Sequence, residues 1–215
     1  MHLRLPLVYY RCMMTHEERE TALRAIRDDL LHNSELPLFA YRTEHKYFPV
    51  VGEGSHEAKI VFIGEAPGKN EALTARPFCG ASGKILDQLL ESVGLHRKDI
   101  YITNIVKDRP PENRDPLPHE IESYGPYLDK QLEIIQPKVI ATLGRFSMEY
   151  IMRKFGLGME IEAISKAHGK SYVANCKWGQ VHIIPLYHPA ASIYNQHLRE
   201  TLKKDFEVLR EFALL

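Results

Sequence analysis

The chain has 215 residues, 44% of them hydrophobic, enough for one substantial core. A single domain over 1–215 is therefore expected, with a helical and irregular lead-in at 1–55 and an α/β core at 56–215. Lys plus Arg and Asp plus Glu are 28 each, a formal net charge of +0, which excludes an overall basic field and leaves only a local patch for any nucleic-acid contact. Three cysteines at 12, 79 and 176 form no CxxC pair and leave one over, so reduced thiols and a cytoplasmic location are expected rather than a disulfide frame.

The first residues, MHLRLPLVYYRCMM, place two arginines among apolar residues. They lack a signal-like apolar run, and no stretch is long enough to span a bilayer, so no membrane association is expected. Thr15 and Glu18 have the form of a capping box, and Ala22, Leu23, Ile26 and Leu30 repeat as on an amphipathic helix from His16 to about Leu31. The segment LPLFAYRTEHKYFPVVGEGSHEA, rich in turn residues and aromatics, reads as irregular up to the Gly52 to Gly54 turn.

Four short β-branched runs follow: KIVFIG (59–64), DIYITN (99–104), KVIATLG (138–144) and VHIIPLYH (181–188). Each precedes a helix-like segment, the alternation of a parallel sheet covered on both faces. Of these helices, SGKILDQLLESV stops at Gly94, and LPHEIESYGPYLDKQLEIIQ starts at Pro118 and should kink or split at Gly125-Pro126. RFSMEYIMRKF and HLRETLKKDFEVLREFALL supply two more.

In open α/β sheets, ligands sit beyond the carboxyl ends of the strands. Polar signatures stand at three of the four ends: Gly64-Glu65, Asn104 and His188-Pro189. GEAPGKN is not a Walker loop, because three residues rather than four separate its glycines and Asn70 follows the lysine. A GxGxxG fingerprint is absent after the first strand, and the 11 histidines include no HExxH, so neither a dinucleotide site nor a metal site is expected.

Taken together and in this order, GEAPG, RPFCG, ITNIVKDRPPENR and HPAAS closely resemble the motifs of the uracil-DNA glycosylase superfamily, and within it family 4. The resemblance runs from about Gly52 to the last helix. It implies a three-layer α/β/α sandwich with a central four-stranded parallel sheet. It also implies a base-excision repair hydrolase that flips uracil out of DNA, cuts its N-glycosidic bond and leaves an abasic site.

Site residues follow position by position. Phe78 of RPF corresponds to the ring that stacks on the extruded base, Asn104 to the amide that reads uracil, and Gly64 and Ala66 to the base-lining turn. His188 corresponds to the donor aimed at uracil O2, where charge builds as the base departs. Glu65 and Glu71 match the glutamates of the first motif; Glu71 is favoured for water and sugar charge, and Glu65 for holding the loop. Asn113 matches a supporting asparagine, and Ser192, Ile193 and Tyr194 occupy the place of a DNA wedge, with Arg199, Lys203 and Lys204 positioned for phosphates.

Family 4 enzymes hold a [4Fe-4S] cluster on four cysteines. Here KDRPP has Asp108 and ESYGPYL has Tyr124 at two of those places, and the lead-in segment LPLFAYR has no cysteine. No cluster is expected. Phe39, Tyr41, Tyr47 and Phe48 are expected to pack with Tyr124 in its stead. Nothing like the basic insert of uracil-trapping relatives stands between Asp108 and Pro118, so turnover is expected. The reading is a monomer acting on uracil-containing DNA without a cofactor. Two alternatives stay open: a non-catalytic DNA-binding module for damaged or flipped bases, and a glycosylase for hypoxanthine or xanthine.

Overall fold

The computed structural model describes residues 14–193 and 195–213. Helix α1 (His16–His32) begins with the expected capping box, Thr15 and Glu18 exchanging bonds of 2.7 and 3.2 Å. Its buried Arg19 donates to the carbonyls of Ile134 and Ile135 at 2.7 and 2.8 Å, which satisfies the open end of a later helix and docks α1 there. A short α2 (Phe39–Glu44) and a two-residue strand β1 (Glu53–Gly54) give regular structure to a lead-in expected to be irregular.

The four expected strands form as β2 (Ile60–Gly64), β3 (Tyr101–Asn104), β4 (Val139–Leu143) and β6 (Gly179–Leu186). The sheet holds two more, however: β1, and β5 (Tyr172–Cys176), which runs antiparallel to β6. In the order β1-β3-β2-β4-β6-β5, the four central strands are parallel and the two edges antiparallel. The expected four-stranded parallel sheet is thus the middle of a six-stranded mixed one. Edges that pair through only one side need no continuous apolar run, and β5 indeed buries only its central Ala174.

Between and after the strands lie α3 (Lys69–Thr74), α4 (Ala81–Ser92), α5 (Pro118–Ile135), α6 (Arg145–Lys154), α7 (Ile164–Ala167), α8 (Gln196–Glu207) and α9 (Arg210–Ala213). Alternate residues of the strands feed two cores, as a pleated strand dictates. Val61 and Ile63 of β2 join Leu128 and Leu132 of α5 and Met148 and Ile151 of α6 on one face. Ile60 and Phe62 join Leu86 and Leu90 of α4 and Leu202 and Phe206 of α8 on the other. The result is the expected α/β/α layering, with α1 and the lead-in packed on α5 as a third cluster.

Helix α5 is not split at Gly125-Pro126. Gly125 lies where an added Cβ would stand 2.4 Å from the Tyr150 hydroxyl of α6, and its neighbours Tyr124, Tyr127 and Leu128 are all buried. Packing on that face outweighs the one backbone bond that proline removes. The last helical stretch, by contrast, breaks into α8 and α9.

Sequential strands β2 and β3 are neighbours, but β4 then pairs on the other side of β2. The order reverses there, and such a reversal opens a crevice at the carboxyl ends of the strands.

Candidate active site

A cavity of about 470 Å³ opens at that crevice, lined among others by Glu65, Ala66, Glu71, Phe78, Asn104, Asn113 and His188. Gly64 and Asn104 are register partners at the ends of β2 and β3, so the Asn104 side chain and the hydrogen face of Gly64 lie on the same side of the sheet. A Cβ at position 64 would stand 2.3 Å from Asn104 Oδ1 and 2.8 Å from the Phe78 ring. Only glycine lets the amide and the ring close on the same space. Asn104 is buried, and its Oδ1 has no hydrogen-bond partner. A buried carbonyl oxygen left unpaired costs on the order of 1–3 kcal/mol, which a ligand donor would return.

Phe78 is buried at 5% exposure with φ +49°, a left-handed backbone that an aromatic residue rarely adopts. Arg97 holds it there, donating to the Pro77 and Phe78 carbonyls at 3.2 and 2.5 Å while pairing with Asp87 at 2.5 Å. Gly83 of α4 completes the clamp, since a Cβ there would strike the Phe78 carbonyl at 1.7 Å.

His188 follows β6, its ring centroid 5.7 Å from that of Phe78. Ala190 N–H donates to its Nδ1 at 3.2 Å, so the ring proton of the neutral form sits on Nε2. Burial pushes its pKa down to about 4. At neutral pH His188 is therefore an uncharged donor with a fixed tautomer.

The two carboxylates differ. Burial, then the Asp115 carboxylate, raises Glu65 to about 7, against the opposing pull of Arg145. Arg145 itself pairs with Asp115 at 2.6 Å. Glu71, in the first turn of α3, leans over the backbone of the turn: its Oε2 lies 2.6 Å from where a Cβ of Gly68 would be. Asn113, with φ +55°, accepts from Arg109 Nε at 2.7 Å, and Arg109 also reaches the Tyr47 hydroxyl at 2.9 Å.

Seven of the expected residues thus line one cavity, with Gly64 beneath them. The expected DNA-facing set divides. Ser192 is buried and donates to the Pro189 carbonyl at 2.8 Å, so its hydroxyl braces the turn rather than facing outward. Ile193 is 39% exposed. Arg199 is half-buried and bonded to Gln88 at 2.6 Å, and Lys203 pairs with Glu200. Tyr194 lies outside the described residues.

At the positions where no cluster is expected, Asp108 accepts from Arg42 at 2.9 and 2.8 Å and from the Tyr124 hydroxyl at 2.5 Å. Burial raises the Asp108 carboxyl while Tyr124 and Arg42 hold it down. A [4Fe-4S] cluster needs four thiolates or close substitutes. The chain has three cysteines; of the two described, Cys79 contacts Thr74 and Cys176 the Gly179 carbonyl. The residues present do not fit the group. Phe39 does pack against the cluster containing Tyr124, with Arg42 over its ring at 4.8 Å. Tyr41 and Tyr47 instead receive Arg109, and Phe48 is 51% exposed, so the expected aromatic plug is corrected to an ion pair capped by one tyrosine.

A family model, the Uracil DNA glycosylase superfamily, matches residues 51–212. The chain belongs to the uracil-DNA glycosylase superfamily. It is 45% identical over 194 residues to a Type-4 uracil-DNA glycosylase of Sulfurisphaera tokodaii, covering 90% of this chain and 86% of that one. It is 48% identical over 174 residues to one of Archaeoglobus fulgidus, covering 80% and 85%, and 43% identical over 190 residues to one of Saccharolobus solfataricus, covering 88% and 85%. The superfamily match starts at the end of the lead-in and takes in every cavity residue named above.

Arg97, Asp115 and Arg145 were not singled out from sequence. Arg145 carries a signal of its own, since it begins the helix that follows the end of β4. Asp115 lies just past the PPENR motif. Arg97 acts on carbonyls about twenty residues away, and no local pattern reports that.

Proposed function

We propose that the chain is a uracil-DNA glycosylase: a single-domain, monomeric, cytoplasmic DNA-repair hydrolase that works without an iron-sulfur cluster and binds uracil-containing DNA. The observation that carries the reading is the unpaired, buried Asn104 Oδ1 in a cavity shared with Phe78 and His188. In this reading the flipped uracil stacks on Phe78, which offsets part of the stacking lost from the duplex, a few kcal/mol. Asn104 accepts from uracil N3–H and donates to O4. Cytosine presents a bare nitrogen and a donor at those places, and each mismatch costs on the order of 1–3 kcal/mol.

As the glycosidic bond lengthens, negative charge gathers on the base and positive charge on the sugar. His188 Nε2–H donates to O2, where that negative charge gathers. Glu71 orients water and faces the sugar, its carboxylate held over the Gly68 turn. Glu65, whose ionisation burial opposes, holds the loop through its neighbourhood with Asp115 and Arg145. Asn113 braces the rim, and Ile193 fills the gap left in the duplex.

A uracil-containing oligonucleotide tests the reading. Purified protein is expected to leave alkali-labile abasic sites on uracil strands and none on matched thymine strands. Intact uracil strands would overturn catalysis, and cleavage of hypoxanthine or xanthine strands alone would shift the substrate. The non-catalytic alternative predicts tight binding with no cut and no effect of Glu71→Gln.

A further inference from the structure

Directly behind the base-reading asparagine, Lys107 is fully buried, with 0% exposure. Its Nζ lies 2.8 Å from Thr103 Oγ1, 2.7 Å from the Asn104 carbonyl and 2.6 Å from Gln131 Oε1. The hydrogens around it are already assigned. Thr103 donates its own proton to the Val51 carbonyl at 2.7 Å. Gln131 directs its amide hydrogens to that carbonyl and to the Tyr101 hydroxyl, at 2.9 and 3.1 Å, which leaves Oε1 facing the lysine. Three acceptors therefore surround Nζ, and only an ammonium has three N–H groups to give. No carboxylate is among its partners; the neighbouring Asp108 is committed to Arg42 and Tyr124.

An uncompensated cation is costly to bury, and burial does pull the Lys107 pKa well below its ordinary value. The fold tolerates it beside the residue that reads the base. Resting on the glycosylase reading above, we propose that Lys107 is a positioning residue that fixes the Asn104 backbone and sets a positive charge behind the cavity, which favours the departing base anion over the neutral bound base. A charge held in a poorly solvated interior acts over several ångströms without touching the substrate.

Single-turnover excision of uracil and of 5-fluorouracil, whose anion is the better leaving group, tests this. Lys107→Met is expected to slow uracil release by roughly tenfold or more and 5-fluorouracil release by clearly less, because a better leaving group needs less help. Equal losses on both bases, or an unchanged rate, would overturn the proposal. Should Lys107→Met fail to fold, Gln131→Glu keeps an acceptor on the lysine while cancelling its charge; it is expected to show the same unequal losses, and unchanged or equal rates again overturn the proposal. Wild-type protein inactive on both bases would instead remove the glycosylase reading itself.

Discussion

At the carboxyl ends of β2, β3 and β6 the chain buries a polar oxygen and leaves it unpaired, on Asn104. Between α2 and α5 it buries a carboxylate and pairs it three times over, on Asp108 with Arg42 and Tyr124. Both places are polar and both are shut away from solvent; what separates them is whether the hydrogen bonds close within the protein. The closed knot can only stabilise, because a second partner would have to displace the first. The open cavity can only bind, because its missing partner has to come from outside. The Asp108 and Tyr124 positions are of the closed kind, and the Asn104 end of the sheet is of the open kind.

Breaking the knot should give the largest change, and in stability. Asp108→Ala leaves the Arg42 guanidinium buried without a counter-charge, a loss of about 3–5 kcal/mol. Thermal melts should show the midpoint falling by roughly 10 °C or more for a chain of this size. Uracil excision measured well below that midpoint should stay within a few-fold of wild type. Arg42→Met, Asp108→Leu and Tyr124→Phe combined should lose less stability than Asp108→Ala alone, since no charge is then left buried.

Breaking the cavity should do the reverse. His188→Ala removes a preorganised donor and should slow excision by roughly 10²–10³, with the melting midpoint nearly unmoved because only one bond, from Ala190 N–H, is lost. Asn104→Asp places a carboxylate against uracil O4 and should slow uracil release by roughly 10–100-fold. Comparable loss of stability in either variant would mean that the cavity is structural after all.

The smallest effect sharpens the boundary between the two regions. Glu65 sits in the cavity wall with its pKa raised to about 7 by burial and by Asp115. A carboxyl raised in the folded state binds its proton more tightly there than when unfolded. Its contribution to stability is full below about pH 4.5 and is lost as the pH rises through 7. Glu65→Gln should therefore raise the melting midpoint by about 2–4 °C at pH 8 and leave it nearly unchanged at pH 5.

What the sequence displayed, and what it hid, follows the range of the interactions. The four central strands announce themselves because each is buried on both faces and must be apolar throughout. Strands β1 and β5 did not, because edge pairing asks little of side chains. Proline at 126 misled about α5, since the packing that keeps the helix whole comes from Tyr150 on another helix. In the site, Phe78, Asn104 and His188 were visible through their motifs at strand ends. The side chains that hold them were not: Arg97 acts on carbonyls about twenty residues away, and Lys107, though only three residues from the Asn104 carbonyl it holds, takes its third acceptor from Gln131 on α5. The Arg42 and Asp108 pair spans 66 residues of sequence, so the absence of cysteine at Asp108 could be seen but the ion pair there could not.

Free uracil soaked into crystals of the protein tests the open cavity most directly. The expected complex has the pyrimidine ring on Phe78, N3–H at Asn104 Oδ1 and O2 at His188 Nε2, so that the orphaned oxygen gains its partner. Uracil bound elsewhere, or seated in the cavity with Asn104 Oδ1 still unpaired, would contradict the account.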